Sequence, residues 1–254
     1  MEDTESHKIF LLGGYDLEML TIKRMLMDRR DCVVIDKHLR WDNALLSAYK
    51  SELEDYDDSP IYGIELKEDI PVPSKYIRID HHNDLNGNPS ALEQVTEILG
   101  VELSRYQQLV AANDKGYIPA MEAMGATETE IENIRMTDRV AQGIGPDDEQ
   151  LAMKSIRESL SKHQSLFVVK SQTPYFSTIC DRMYPYGNLL IYTDSEWTFY
   201  GEDKEKILHL LTNDILQHKI FHGGGNQGYI GSVKHAYSKD EIQQFVEQVK
   251  KMYE

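Results

Sequence analysis

The segment Ile77-Arg78-Ile79-Asp80-His81-His82-Asn83 places one carboxylate and two imidazoles directly after an apolar run. Burying such a triplet without partners is costly, and a divalent metal or a phosphate group would supply them. Two further acids, Asp16 and Glu18, follow the run Ile9-Phe10-Leu11-Leu12 and the pair Gly13-Gly14. One residue separates them, so both side chains can project from the same side of an extended turn. Another acid, Asp114, stands in Ala111-Ala112-Asn113-Asp114-Lys115-Gly116-Tyr117, where a helical pattern gives way to a glycine. Taken singly, Asp16 suits a helix N-cap and Asp114 ordinary turn chemistry. Taken with Asp80 and His81, all at element ends, they suit one shared site.

The elements that must position these residues alternate between two periodicities. Apolar runs at 9–12, 32–35, 61–66 and 76–79 read as strands, with helical spacing over 17–26 and about 44–53 between them. Such alternation indicates an α/β fold with a mainly parallel sheet, whose ligands bind beyond the carboxyl ends of its strands. Helices are expected near 91–99, 104–112, 128–142 and 146–163, the last signalled by Pro146-Asp147-Asp148. From Leu166 the texture changes to short aromatic and β-branched runs at 166–169, 176–179, 189–192 and 197–200. Helical patterns return over 204–216 and 239–252. The division expected is a metal-binding domain over 1–164, a connecting region over 165–186, and a smaller α/β substrate-binding domain over 187–254.

Strand-Asp-x-acid, then Ile-Asp-His-His-Asn, then Asn-Asp-Lys-Gly resembles the DHH phosphoesterase superfamily. Its members include RecJ-type exonucleases, oligoribonucleotide and cyclic-dinucleotide hydrolases and family II inorganic pyrophosphatases. Near the C-terminus, His222-Gly223-Gly224-Gly225-Asn226-Gln227-Gly228-Tyr229-Ile230-Gly231 is similar to the glycine-rich substrate-binding motif of the DHH-associated domain. The resemblance implies a divalent metal cofactor, one or two ions and usually manganese, that clamps a phosphoryl group. Two such ions about 3.5–4 Å apart stabilise attacking and leaving oxygens and lower the pKa of bound water.

Carried over position by position, Asp16 would hold the first ion, while Glu18, His81 and Asp114 would hold the second. Asp80 would join the metal ligands or orient a histidine or a metal-bound group, and His82 would contact the scissile phosphate or assist the leaving oxygen. The bridging acid has two candidates, Glu65 after Tyr62-Gly63-Ile64 and Asp36 after Val33-Val34-Ile35. His222, Gly223, Gly224, Gly225 and Asn226 would contact substrate, since successive glycines let backbone N–H groups face an anion. Leu12 stands where members commonly carry a histidine ligand, and Glu18 where aspartate is usual. These departures leave a non-catalytic nucleotide-binding or regulatory protein as an alternative to an enzyme. Hydrolysis of pyrophosphate or polyphosphate is a further alternative.

Composition narrows the partners. Lys and Arg number 27 against 43 acids, a net charge of −16. A surface so acidic repels a long phosphate backbone, so no long duplex is expected and a small phosphorylated substrate is favoured. Cys32 and Cys180 show no ligand-like spacing and read as buried small hydrophobes. No apolar stretch approaches the ~20 residues of a membrane span, so a cytoplasmic protein with no membrane partner is expected, with a homodimer as one possible state. Tyr192, Trp197, Phe199 and Tyr200 read mainly as core or sheet-face residues, although they could stack a base.

Overall fold

Four of the apolar runs become strands in the computed structural model, which describes residues 7–56, 59–223 and 228–254. They are β1 (Lys8–Leu12), β2 (Cys32–Asp36), β3 (Ile61–Ile64) and β4 (Tyr76–Ile79), all parallel, in the order β2-β1-β3-β4. The central strands β1 and β3 are buried almost throughout, as expected of a parallel sheet covered on both faces. Helix α1 (Leu17–Met27) follows β1, and α2 (Lys50–Asp55) precedes β3. After β4 come α3 (Ala91–Leu99), α4 (Arg105–Ala123) and α5 (Glu128–Ala141), all of which pack against α1. Ile9, Leu11, Leu46, Tyr49, Ile61 and Leu66 form the core on the other face. From β1 the chain reaches β2 on one side and β3 on the other, so the switch point of the sheet lies between β1 and β3.

Local signals account for the helix starts. Ser90, Ser104 and Thr127 each cap a helix and are reciprocated by Glu93, Gln107 and Glu130 three residues on. The helix expected over 44–53 is a tight turn, Leu46–Tyr49, leading into α2. The helix expected to end at Ala112 continues further and breaks at Gly116 and Tyr117, then resumes to Ala123.

The chain divides into two compact units, Met1–Gly143 and Ile144–Glu254. The second begins with α6 (Pro146–Ser159), followed by β5 (Ser161–His163), β6 (Leu166–Lys170), α7 (Ser177–Met183), β7 (Asn188–Tyr192) and β8 (Trp197–Gly201). It ends with α8 (Lys204–Leu210), α9 (Thr212–Leu216), β9 (Ile220–Gly223), β10 (Tyr229–Ser232) and α10 (Lys239–Lys251). The strands form a mixed sheet in the order β5-β6-β7-β8-β10-β9, with only β6 and β7 parallel. Leu190, Trp197, Phe199 and Ile230 face Ile242, Val246 and Val249 of α10, while Leu189 and Ile191 pack with Ile179 and Cys180 of α7.

Two expectations are corrected here. Residues 165–186 are not a connector, because β6 pairs along its whole length with β7 inside the second sheet and α6 packs on β6. The run 176–179 is not a strand but enters α7; a short apolar run does not distinguish a strand from a buried helical turn. The strands β9 and β10 flank the glycine-rich segment as an antiparallel pair that carried no clear alternation in sequence. Among the described residues, no helix is long and apolar enough to cross a membrane.

Candidate metal centre

The carboxyl ends of β1, β3 and β4 deliver the acids and imidazoles to one place. A Cβ at Gly13 would collide with the carbonyl oxygens of Ile64 and Glu65, so only glycine lets the exit of β1 run this close to that of β3. Asp16 then caps α1, its Oδ1 accepting the Met19 N–H at 2.8 Å, and Glu18 lies buried in the first turn. One Glu18 oxygen, Oε1, accepts the Leu92 N–H at 3.0 Å, which fixes the carboxylate between α1 and α3. Glu65 follows β3 with φ +53°, a left-handed conformation uncommon outside glycine, held by its N–H donating to the Ile79 carbonyl at 2.8 Å. Asp114 comes from α4, just before the break at Gly116.

His81 Nε2 lies at the centre of this group, 2.6 Å from Asp114 Oδ2, 3.4 Å from Glu65 Oε1 and 3.8 Å from Glu18 Oε2. None of these contacts has hydrogen-bond alignment. Glu18 Oε2, both Glu65 carboxylate oxygens, His81 Nε2 and Asp114 Oδ2 are all buried without a hydrogen-bond partner among the described residues. Orphaned buried acceptors are rare and expensive, and a bound cation would satisfy a set this dense. One ligand atom each from Glu65, His81, His82 and Asp114 falls within 4.8 Å of the others. Carboxylates with imidazole suit a divalent ion of the manganese or magnesium type. The residues present therefore fit the metal.

The electrostatics agree with the geometry. Burial, with the charge of Asp114 second, pushes the Asp16 carboxyl up to about 7. Burial and the Glu18 charge push Asp114 up to about 6. Burial also raises Glu65 well above the carboxylate range, with Glu18, Asp114 and Asp16 adding to it and His81 opposing. Burial disfavours a charged His81, but Asp114, Glu18 and Glu65 surround it and push it up to about 12. Without a metal, the imidazolium is the internal cation of the cluster.

Asp80 behaves differently. Its Oδ2 accepts from the Arg78 guanidinium, and its Oδ1 accepts the His82 N–H at 2.9 Å and faces His82 Nδ1 at 3.2 Å. These partners outweigh burial and hold the carboxyl well below the ordinary range. Both oxygens are thus engaged within the chain, one by Arg78 and the other by His82.

Of the two bridging candidates, Glu65 is in the cluster. Asp36 is not: it pairs with Lys23 at 2.7 Å and accepts the His38 N–H. Leu12 is packed in the core and contributes only its carbonyl, to the Tyr49 hydroxyl at 2.6 Å. In the second unit, His222 is exposed on β9, and the Gly223 carbonyl accepts from Lys204 Nζ at 3.3 Å. Gly224, Gly225 and Asn226 lie outside the described residues. Tyr192, Trp197 and Phe199 are core residues.

Sequence inspection missed a buried polar network behind the acids. Arg135 of α5 donates to Asn113 Oδ1 at 2.8 Å and to Asp138 Oδ2 at 2.9 Å. Asp138 Oδ1 in turn accepts the Leu17 N–H at 3.2 Å. The segment bearing Asp114 is thereby tied to the one bearing Asp16 and Glu18. Arg135 and Asp138 are spaced as an ordinary helical ion pair, and nothing in the sequence marks them as buried.

No family model matches the chain, and no curated protein matches its sequence. Several solved structures are similar to it. A pGpG-specific phosphodiesterase, PggH from Vibrio cholerae, aligns over 98% of this chain and 100% of its own at 10% identity and a TM-score of 0.49. A DHH domain from a protein described as a member of a ribosomal-protein family aligns over 97% of this chain and 87% of its own, at 13% identity and a TM-score of 0.49. RecJ from Thermus thermophilus, in complex with Mn2+, aligns over 98% of this chain and 52% of its own, at 12% identity and a TM-score of 0.46.

Proposed function

We propose that the chain is a metal-dependent phosphoesterase acting on a small phosphorylated substrate such as a short oligonucleotide, a cyclic dinucleotide or a nucleoside phosphate. One observation carries this reading: buried, unpartnered ligand atoms of Glu18, Glu65, His81 and Asp114 converge at the switch point of a parallel sheet. Those four residues would hold an ion, and Asp16, beside them at the start of α1, would serve a second. When bound, the metal supplies Lewis acidity toward a phosphoryl oxygen and lowers the pKa of water. The chain's own contribution is positional. The Glu18 carboxylate is held by the Leu92 N–H, and the Glu65 backbone by its N–H donating to the Ile79 carbonyl, so both residues are placed before an ion arrives. Asp80 faces His82 Nδ1 and leaves Nε2 to contact the phosphate and carry a proton to the leaving oxygen. A net charge of −16 disfavours long duplex partners.

The test is metal content together with hydrolysis of diadenylate, a short oligoribonucleotide and pyrophosphate, with and without added manganese. Bound ion with manganese-dependent release of product is the expected result. Turnover that survives Asp114→Ala overturns the site. A second reading, a binding protein without turnover, is favoured by Leu12, whose aliphatic side chain supplies no ligand beside Asp16. Tight phosphate-ligand binding with no hydrolysis at any metal concentration would select it.

A further inference from the structure

We infer that the indole of Trp41 is a stacking platform for a nucleobase, so that the phosphate presented to the acid cluster carries a nucleoside. The inference deepens the phosphoesterase reading and rests on it for the identity of the phosphate site. The protein has two tryptophans, and they are used in opposite ways. Trp197 is 1% exposed in the core of the second unit, whereas Trp41 is 46% exposed. A single exposed aromatic needs no explanation by itself. Its placement does.

The Trp41 ring lies edge-on to His82, with ring centres 5.0 Å apart and 63° between planes. His82 is the half-exposed imidazole of the cluster, the one oriented by Asp80 for contact with substrate. The indole is also seated against Gly14, two residues before Asp16: a Cβ there would come within 2.7 Å of Cε2. Gly13 and Gly14 therefore do different jobs, the first admitting the exit of β3 and the second admitting this ring. The turn that bears Trp41 is closed by Asn43 Oδ1 accepting the Arg40 N–H at 2.7 Å. Tyr15, next to Gly14 in the chain, and His38 are both exposed, with ring centres 6.1 Å apart.

The chemistry of the ligand follows from these contacts. A base lies one ribose away from its phosphate, so a phosphate at His82 brings the base within reach of the indole. Stacking on an aromatic face tolerates any base and adds affinity without positive charge, which this acidic chain lacks in excess. Inorganic pyrophosphate or polyphosphate offers nothing to the ring, so Trp41 points away from phosphoanhydrides as substrates.

Tryptophan emission tests this directly, because the exposed Trp41 is the fluorophore a ligand can reach. With the full chain in magnesium, adenosine 5′-monophosphate is expected to quench emission at concentrations where ribose 5-phosphate does not. Trp41→Ala is expected to weaken adenosine 5′-monophosphate binding and raise the KM for diadenylate about tenfold or more, with a smaller change in kcat, and Trp41→Phe to recover most of the loss. Equal affinity for the two monophosphates, or an unchanged KM in Trp41→Ala, overturns the inference. Base-selective quenching without hydrolysis of any compound would sink the phosphoesterase reading and leave the platform standing. Hydrolysis with no base discrimination would do the reverse.

Discussion

The two halves of the site treat buried charge in opposite ways. Around Asp80, both carboxylate oxygens have partners within the chain: Arg78 and His82 use them and hold the carboxyl ionised. A few ångströms away, Glu18, Glu65 and Asp114 surround His81 with acceptors that nothing among the described residues satisfies. The first half is complete as folded and can serve to orient a proton carrier. The second would be completed by a cation, and the protein tolerates its cost because the sheet, α1 and α4 over-determine where those side chains lie.

This division is most easily broken at the orphaned half. Glu65→Gln and Asp114→Asn are expected to remove the ion and lower hydrolysis by about a hundred- to a thousandfold, the scale of losing one preorganised electrostatic group. The same changes should flatten the pH dependence of the ion-free protein's stability, because each removes a carboxyl whose affinity for a proton rises on folding. Metal analysis and ion-free melting curves check both, and a Glu65→Gln protein that keeps its ion and turnover contradicts the division.

At the satisfied half the pattern should invert. Asp80→Asn is expected to keep the bound ion and KM while lowering kcat by roughly 10²–10⁴, since it misorients a general acid instead of emptying the centre. Steady-state kinetics beside metal content will tell. Loss of the ion in this variant would mean that Asp80 belongs to the other half.

A smaller effect comes from pH. Asp16, Asp114, Glu65 and His81 all bind protons more tightly folded than unfolded, so the ion-free fold holds excess protons and loses stability as pH rises from about 4 through 7 and beyond. The ion-free melting temperature should therefore fall between about pH 5 and pH 8. Manganese should cancel the fall, and its binding near neutral pH should release protons, detectable calorimetrically in buffers of different ionisation enthalpy. A melting temperature that rises over that interval without metal would show that the carboxyls are charged and paired after all.

Least affected should be Asp36→Asn, which cuts the ion pair to Lys23 away from the cluster. About 1 kcal/mol or less of stability and no activity should be lost, as chemical denaturation and the hydrolysis assay can verify. A loss comparable to that of Glu65→Gln would make Asp36 the bridging acid.

What could be foreseen from sequence follows the same physical line. Asp16, Glu18, Asp80, His81 and Asp114 are visible because they directly follow apolar runs or end a helix, and the carboxyl edge of a parallel sheet gathers such residues wherever they lie in the chain. Glu65 is half visible: its strand is evident, but no sequence signal announces a glutamate at positive φ. Arg135 and Asp138 are invisible, because a helix surface and a helix interface use the same i,i+3 ion pair. Trp41 is invisible for a related reason, since it sits in an irregular turn where periodicity is silent. The boundary between units was misplaced because β6 pairs with a strand later in sequence, a non-local fact.

The central position of β1 in its sheet has a consequence in time. Its two neighbours are added from later parts of the chain, and Asp114 arrives later still, so the ligand set exists only after distant segments have paired. An ion that binds only the assembled set would therefore act as a latch, favouring the closed first unit over its opened state.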